Sequence, residues 1–364
     1  MAVAKVSKLF AELIKVALGN ENALSKNPSV DEWYIIYNEA SKQAISGILF
    51  EGVQKLPKGQ WPPQELLFKW IGLFEQIRFK NEEIDRQTKT IWNKLKKDGL
   101  NAAVLKGQGI ATLYGELASS RQSGDIDIWV KGGYKTVCDY VQKTIPTVDL
   151  AYHRFHYPFF EDTEVELHHR PTLMRNLLDD RKLARWYNSF STESFVYLED
   201  KGFAVPSYEF NVIFILTHIY RHFLFEGVGL RQVMDYYFVL KSDVRCKKVE
   251  VTKTLQSLKL DKFARAVMWV MKTQFGLEDK YLISEPDEKE GSFLLNEILL
   301  SGNFGQTDQR YRYRKWYKLH RFLSRSSHLL IHYPSEILWS PIWVVYHWFW
   351  KRSKKYKIHK RRSR

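Results

Sequence analysis

The chain has 364 residues, of which 45% are hydrophobic, so it holds enough apolar material to bury a large core. Only two cysteines occur, Cys138 and Cys246, without the spacing of a zinc site or a disulfide framework, which fits a reducing cytoplasm. The net charge of +15 comes almost entirely from residues 301–364, which hold 16 Lys/Arg and two acids. Because residues 1–300 are close to neutral, the composition weighs against a nucleic-acid substrate bound along the body of the protein.

Residues 1–98 predict an N-terminal helical region. Apolar residues recur every three or four positions over 32–48 and 65–95, which is the spacing of an amphipathic helix. Residues 1–19 show the same spacing, interrupted by charged residues, and predict an ordinary helix in place of a signal peptide. The expected location is therefore cytoplasmic.

In residues 99–206 the helical spacing gives way to short apolar and alternating segments, which predict a small mixed sheet that carries helices. Segments of apolar or alternating residues predict strands at 102–105, 125–130, 148–150, 156–160, 164–168 and 203–205. Helices are predicted at 109–117 and 134–144, with a polar loop over 118–124. Together with the flanking helical regions, this segment predicts an α+β fold.

The C-terminal third predicts a helical region over 207–310 and a basic, aromatic tail over 311–364. Residues 337–350 form an apolar run that is too short to cross a bilayer as a helix, and the last 14 residues carry nine Lys/Arg. Aromatic residues followed by basic ones suit the headgroup zone of an anionic membrane. We therefore expect residues 337–364 to meet the inner membrane face peripherally or to dock on a protein partner; the alternative is a last helix packed on the body.

The segment Ser123 to Val130 is the strongest candidate for chemistry. In a strand, alternate side chains share a face, so Asp125 and Asp127 project together while Ile126 and Ile128 pack behind them. Two neighbouring carboxylates suit Mg²⁺, which completes its shell with substrate phosphates. The later strand brings Glu166 by the same alternation, and three carboxylates are enough to hold two ions. The acid–apolar alternation alone is also typical of any half-exposed strand.

The segment Leu105–Gly109 supports the predicted metal site, because a strand there ends in a glycine-containing turn that opens a helix. Such a turn presents backbone N–H groups and a positive helix end to a triphosphate. Lys106, Gly107 and Gln108 lie in the turn and are candidate nucleotide contacts, as is Ser123 in the polar loop.

These motifs resemble the bacterial nucleotidyltransferase-fold proteins of the DNA polymerase beta superfamily, and most closely the subgroup known as uncharacterised nucleotidyltransferases. The resemblance covers about residues 30–305, with its motifs at 104–107, 121–128 and 165–168. It implies a nucleotidyltransferase-type sheet, metal binding by Asp125 and Asp127, and Glu166 as the third carboxylate. It also implies that Lys106 and Gly107 face the triphosphate. The broader superfamily typically has Gly-Ser at this turn, whereas the Lys-Gly found here is similar to the subgroup and to abortive-infection toxin nucleotidyltransferases.

Several further residues are candidate substrate contacts. Arg121 can pair with phosphate oxygens, although a solvated loop arginine is an equal alternative. His168 shares the strand face of Glu166, and neighbouring histidines lack both the cysteines and the spacing of a zinc site. The resemblance implies that later helices close over the acceptor, which makes candidates of His222, Arg231 and Asp235; an internal Arg231–Asp235 pair is the structural alternative.

The sequence therefore predicts a Mg²⁺-dependent enzyme, with Mn²⁺ as a possible substitute, that moves a nucleoside monophosphate from an NTP to a small-molecule or protein acceptor. Two other interpretations stay open. One is a toxin-like enzyme that nucleotidylates tRNA and anchors it on the basic tail. The other is a nucleotide-binding protein that has lost turnover.

Overall fold

The structure is a computed structural model that describes residues 2–145, 151–190, 192–243, 248–308, 310 and 325–362. Its helices, in chain order, are α1 (Ala2–Ala17), α2 (Val30–Lys42), α3 (Ser46–Lys55), α4 (Gln64–Lys97), α5 (Gln108–Ala111), α6 (Gly133–Thr144), α7 (Leu177–Ser189), α8 (Tyr208–Phe225), α9 (Leu230–Ser242), α10 (Lys248–Ser257), α11 (Asp261–Phe275), α12 (Glu288–Ser301) and α13 (Pro334–Arg362). Its strands are β1 (Ala102–Val104), β2 (Ile126–Val130), β3 (Arg154–His156), β4 (Val165–His168), β5 (Phe195–Leu198) and β6 (Phe203–Pro206). The architecture is thus largely helical with small mixed sheets, and the predicted α+β class is confirmed.

The chain divides into two compact units. The first, called the helical unit below, comprises residues 1–87, 108–123 and 208–314. The second, the sheet unit, comprises residues 88–107, 124–207 and 315–364. Helix α4 begins in the helical unit and ends in the sheet unit. The predicted borders after residues 98, 206 and 310 stay predictions.

The helical unit is organised around Trp70 of α4, whose side chain is fully buried. The rings of Trp33, Tyr37 and Phe50 surround it at centroid distances of 6.4, 5.2 and 6.2 Å. The indole N–H donates to the carbonyl oxygen of Ser46 at 2.9 Å, so the one polar atom of this side chain is satisfied inside the core. The apolar face of α4 predicted by the residue spacing is therefore the face that packs.

The segment 115–121 is held tightly within the helical unit. A Cβ atom on Gly47 of α3 would lie 2.2 Å from the carbonyl oxygen of Ser120, so only glycine permits this approach. The Asn81 side-chain amide of α4 donates to the carbonyl oxygen of Arg121 at 2.6 Å. These contacts fix the backbone that leads into the polar loop.

The sheet unit contains a four-stranded sheet with the order β1-β2-β4-β3. Strand β2 pairs antiparallel with β1 and parallel with β4, and β4 pairs antiparallel with β3. All five residues of β2 are buried, so both faces of this strand are covered. Strand β2 is therefore not the half-exposed strand that the acid–apolar alternation alone also allowed.

Two local predictions differ from the structure, and one strand was not predicted. Strand β3 begins at Arg154 and ends at His156. Tyr157 still donates to the carbonyl oxygen of Val165 at 2.8 Å, but the N–H of Phe159 turns back to the carbonyl oxygen of Tyr157 and does not continue the ladder. The helix predicted over 109–117 is only α5, which ends at Ala111, followed by a 3-10 helix that begins at Gly115, where φ is 58°. Strand β5 was not predicted, and the strand predicted at 148–150 lies outside the described residues.

Candidate functional site

The pairing of β2 with β4 places two carboxylates side by side. Asp127 is the register partner of Glu166, and the next pair on the same face is Trp129 with His168. The opposite face of both strands carries Ile126, Ile128, Val165 and Leu167, all of them buried. The period-2 alternation of each strand therefore directs its acids to one face and its apolar side chains to the other.

His168 completes a compact group with these two acids. Its Nε2 lies 2.7 Å from Oδ1 of Asp127 and 3.4 Å from Oε2 of Glu166. Asp127 is 1% exposed, Glu166 3% and His168 1%. Sequence reasoning placed His168 on the face of Glu166, and the structure brings the two together. Three titratable side chains therefore share one buried position.

The turn after β1 adds a cation. The backbone N–H of Leu105 donates to the carbonyl oxygen of Asp127 at 2.9 Å, which extends the β1–β2 pairing to the start of the turn. Lys106 then directs its Nζ to Oδ1 of Asp127 at 2.9 Å. Gly107 has a φ of 54°, and a Cβ there would lie 3.3 Å from the carbonyl oxygen of Asp125. A glycine is thus favoured where the turn passes the acidic strand.

A second cation comes from β3, where Arg154 is the register partner of His168. Its guanidinium donates to Oε2 of Glu166. The apolar pattern predicts a strand that begins at His156, which leaves Arg154 outside the predicted site. The available signal was the alternation Arg154-Phe155-His156, which places both polar residues on the face of Glu166 once the strand begins two residues earlier.

The contacts set the charges of this group. Burial raises the pKa of Asp127, but the Lys106 ammonium and the His168 imidazole together lower it well below its usual range. Burial lowers the pKa of both cations, yet the carboxylates raise the pKa of Lys106 and that of His168 above their ordinary values. Burial raises the pKa of Glu166; the hydrogen bond from His168 opposes this shift and the charge of Asp127 adds to it.

Asp125 lies immediately before β2 and is only partly buried. The compact group of possible metal ligands consists of two carboxylates and a histidine, and Asp125 is not part of it. Its negative charge nevertheless acts on Lys106, whose pKa it helps to raise. The expected cluster of three carboxylates is therefore represented by Asp127 and Glu166, with Asp125 at its edge.

The donor atoms fit a divalent cation. One ligand atom each from Asp127, Glu166 and His168 all lie within 4.8 Å of one another. Carboxylate oxygens are the ligands that Mg²⁺ prefers, while an imidazole nitrogen also suits transition metals such as zinc. Two carboxylates buried this deeply need positive charge beside them, which Lys106 and His168 supply here and a divalent ion supplies equally well. The exclusion of zinc stays a prediction.

The other predicted site residues lie in the helical unit. Arg121 is buried and not solvated, and its Nε and Nη2 donate to the two carboxylate oxygens of Asp235 at 2.7 and 2.8 Å. The Tyr114 hydroxyl donates to the same carboxylate at 2.6 Å. These contacts give Arg121 and Asp235 a structural role, and a direct substrate contact stays a prediction.

The remaining candidates belong to the same unit. The Ser123 hydroxyl donates to Gln108 Oε1 at 2.6 Å and accepts from Arg121 Nη1 at 3.1 Å. Arg231 donates to the carbonyl oxygen of Gln122 at 2.7 Å. His222 Nδ1 lies 2.6 Å from a carboxylate oxygen of Glu226, one helical turn later. Their roles as nucleotide or substrate contacts stay predictions.

Comparison with known proteins shows which family the chain matches. The sequence model of a family described as uncharacterised nucleotidyltransferase matches residues 29–276, a span that includes every residue of the site in the sheet unit. Among solved structures, the chain is similar to an antigenic nucleotidyltransferase-like protein from Paracoccidioides brasiliensis, with 12% identity over 49% of this chain and 93% of that chain. The TM-score of 0.30 is too low for that likeness to support an argument. No curated protein matches the chain significantly.

Proposed function

Since the chain belongs to the uncharacterised nucleotidyltransferase family, we propose that it transfers the nucleoside monophosphate of an NTP to a small-molecule or protein acceptor and releases pyrophosphate. The observation that carries the proposal is the cross-strand pairing of Asp127 with Glu166, next to the Lys106–Gly107 turn. Carboxylates that can hold divalent ions beside a glycine-containing turn suit phosphoryl transfer, which depends on positioning and on neutralising the charge of the phosphates.

Asp125, Asp127 and Glu166 would hold the metal, which we propose is Mg²⁺, as two ions, with Mn²⁺ as a substitute. Bound there, the metal would neutralise charge on the NTP phosphates and on the departing pyrophosphate. Asp127 and Glu166 are oriented by their strand register and need no rearrangement of the backbone to act together. Asp125 is less buried and is the acid that solvent and substrate reach more easily.

Lys106 and Gly107 would bind the triphosphate. The Lys106 side chain is partly exposed and pairs with Asp127, so it can move its ammonium to a phosphate oxygen once the carboxylate has another cation beside it. Gly107 carries no side chain, so phosphates would be able to approach the backbone N–H groups of the turn closely. Arg154 donates a hydrogen bond to Glu166 and so adds positive charge on the same face of the sheet.

The reaction would be an in-line displacement. The acceptor's oxygen or nitrogen forms a bond to the α-phosphorus, and the bond from the α-phosphorus to the bridging oxygen breaks with its electron pair leaving on pyrophosphate. We propose that a carboxylate oxygen of Glu166 takes the proton that the acceptor loses. His168 lies beside Glu166 and is hydrogen-bonded to Asp127. Catalysis then comes from positioning and electrostatics.

The acceptor class follows from charge. Residues 1–300 carry almost no net charge, so the site-bearing part of the chain has no general attraction for a polyanion. A small molecule or a protein is therefore the proposed acceptor.

One observation favours a second candidate, a nucleotide-binding protein without turnover. Lys106, His168 and Arg154 already place positive charge on both buried carboxylates, so the site is electrostatically satisfied without an ion. Such a site can bind a nucleotide through Lys106 without supporting transfer.

The test combines binding and turnover. NTP affinity is measured by calorimetry with and without Mg²⁺, and pyrophosphate release is followed with small-molecule extract, with protein and with total RNA as separate acceptor pools. The proposal expects Mg²⁺-dependent release with the first or second pool. Release only with RNA would identify the tRNA-directed alternative, and tight NTP binding without release in any pool would identify the binding protein; either result overturns the proposal.

A further inference from the structure

The last helix of the sheet unit, α13, contacts the described residues of that unit along one face. Glu336 accepts hydrogen bonds from the backbone N–H groups of Arg175 and Asn176 at 2.7 and 3.1 Å. Farther along, Tyr152 makes edge contacts with the rings of Trp343 and Trp350, at centroid distances of 6.1 and 5.0 Å. The contacting positions of α13 recur every three to four residues, so they lie along one side of the helix.

The opposite side of α13 is apolar and exposed. Leu338 is 63% exposed and Phe349 is 62% exposed, and the helical spacing places Ile342 and Val345 between them on the same stripe. The neighbouring residues on this side are also exposed and apolar: Pro341, Val344 and Trp348. The stripe runs over about 12 residues, or roughly 18 Å of helix. We call these seven residues the outer stripe.

The outer stripe reverses the usual pattern of a surface helix. A helix that packs through one face normally carries charged or polar residues on the other. Residues 337–350 contain no Asp, Glu, Lys or Arg, and burial together with the charges of Lys351 and Arg175 lowers the pKa of His347, which favours its neutral form. Scattered exposed apolar residues need no explanation, but a contiguous stripe on one helix marks an interaction surface.

The charge next to the stripe identifies the partner. Immediately after it, the helix continues to Arg362 with a run of Lys and Arg, and residues 337–364 contain no acid at all. Arg352 lies over the ring of Trp348 at 5.0 Å, which joins the basic segment to the stripe. A helix partner or a second copy would require acids to meet this charge, whereas an anionic lipid surface offers apolar depth and phosphate together.

We propose that α13 docks on an anionic lipid surface, with the outer stripe buried at the boundary of the acyl chains and the basic segment in contact with lipid phosphates. The helix lies in the plane of the surface, because no helix in the described part of the chain is long and apolar enough to span a bilayer. This docking is independent of the proposed transferase activity.

Vesicle co-sedimentation of the full chain tests the proposal. Vesicles of phosphatidylcholine alone are compared with vesicles that also contain phosphatidylglycerol, at low and high salt. We expect binding to the anionic vesicles that weakens with salt, and a loss of about tenfold or more in the double variant Ile342→Glu/Phe349→Glu. Both side chains are exposed, so the variant keeps its unfolding temperature.

The matched control is Phe79→Glu, which changes an apolar residue of α4 that is 75% exposed in the helical unit. This variant is expected to bind vesicles like the parent chain. Equal loss in both variants, or no binding of the parent chain to anionic vesicles, overturns the proposal. So does a parent chain that is dimeric by analytical ultracentrifugation and becomes monomeric in the double variant, because the stripe would then cover a second copy.

Discussion

Asp127 and Glu166 are register partners in the parallel pairing of β2 with β4, and His168 lies within hydrogen-bond reach of both. Three separate elements supply the cations around them: the turn after β1 gives Lys106, β4 gives His168 and β3 gives Arg154. The site therefore depends on the whole four-stranded sheet and not on one motif.

Asp125→Asn is expected to reduce nucleotidyl transfer on the order of 100-fold while leaving the unfolding temperature unchanged. Asp125 lies before the strand, is only partly buried and stands outside the compact ligand group, so its charge is not needed for folding. Initial rates and thermal unfolding of the same preparation measure both quantities. Glu164→Gln, which alters an exposed acid two residues before Glu166, is the control expected to keep full activity. Full activity in Asp125→Asn refutes a metal role for this residue.

Asp127→Asn is expected to lower the free energy of unfolding by about 3 kcal/mol in addition to abolishing transfer. The substitution leaves the Lys106 ammonium and the His168 imidazole buried without the carboxylate that they share. Urea denaturation followed by circular dichroism measures the loss, and Glu164→Gln again serves as the control.

A second substitution separates charge from packing. Lys106→Met in the Asp127→Asn background removes the unpaired cation, so the double variant is expected to be more stable than Asp127→Asn alone while remaining inactive. Purely additive losses in the double-mutant cycle would show that the two side chains are not coupled.

Arg121→Met is expected to destabilise the helical unit by about 3 kcal/mol, because it leaves the buried carboxylate of Asp235 without its two guanidinium hydrogen bonds. Denaturant unfolding measures the effect, and Arg78→Met, which changes an exposed arginine of α4, is the matched control expected to be nearly neutral. Unchanged stability together with a raised KM for the NTP would instead identify Arg121 as a substrate contact.

The contribution of Glu336 to the stability of the sheet unit is expected to fall as the pH rises from about 4.5 to about 7. Burial raises the pKa of Glu336 to about 7, against the two backbone hydrogen bonds that it accepts. The folded state therefore holds this proton more tightly than the unfolded state, so the stabilisation is complete below pH 4.5 and lost above about 7. The difference is up to about 3 kcal/mol. His169, whose pKa burial lowers to about 3, adds a contribution of the opposite sign, so the test compares the two proteins. The unfolding free energy of the parent chain minus that of Glu336→Gln should fall across this range; a difference that does not change with pH contradicts the assignment.

The sequence predicts much of the site because its signals are local. The alternation in β2 and β4 places Asp127, Glu166 and His168 on one face, and the Lys106–Gly107 turn follows directly from the end of β1. The family resemblance read from these motifs is confirmed by the match over residues 29–276. Periodicity within a strand is enough to identify these residues as a set.

Other features depend on contacts that no local pattern contains. Arg154 joins the site only because β3 begins two residues earlier than the apolar pattern indicates. The ion pair of Arg121 with Asp235 links positions 114 residues apart, so nothing in the neighbourhood of either residue predicts it. The partners of a buried charge are set by tertiary packing, and spacing alone cannot select them.

The most direct test of the proposed function follows the label of the NTP. The parent chain, Glu164→Gln and Asp125→Asn are incubated with the acceptor pool that supports turnover, Mg²⁺ and an NTP labelled at either the α- or the γ-phosphate. The account predicts that the acceptor gains the α-label and pyrophosphate carries the γ-label in the first two proteins, that EDTA stops the reaction, and that Asp125→Asn transfers almost nothing. Transfer of the γ-label, or α-label transfer that persists in Asp125→Asn, would contradict it.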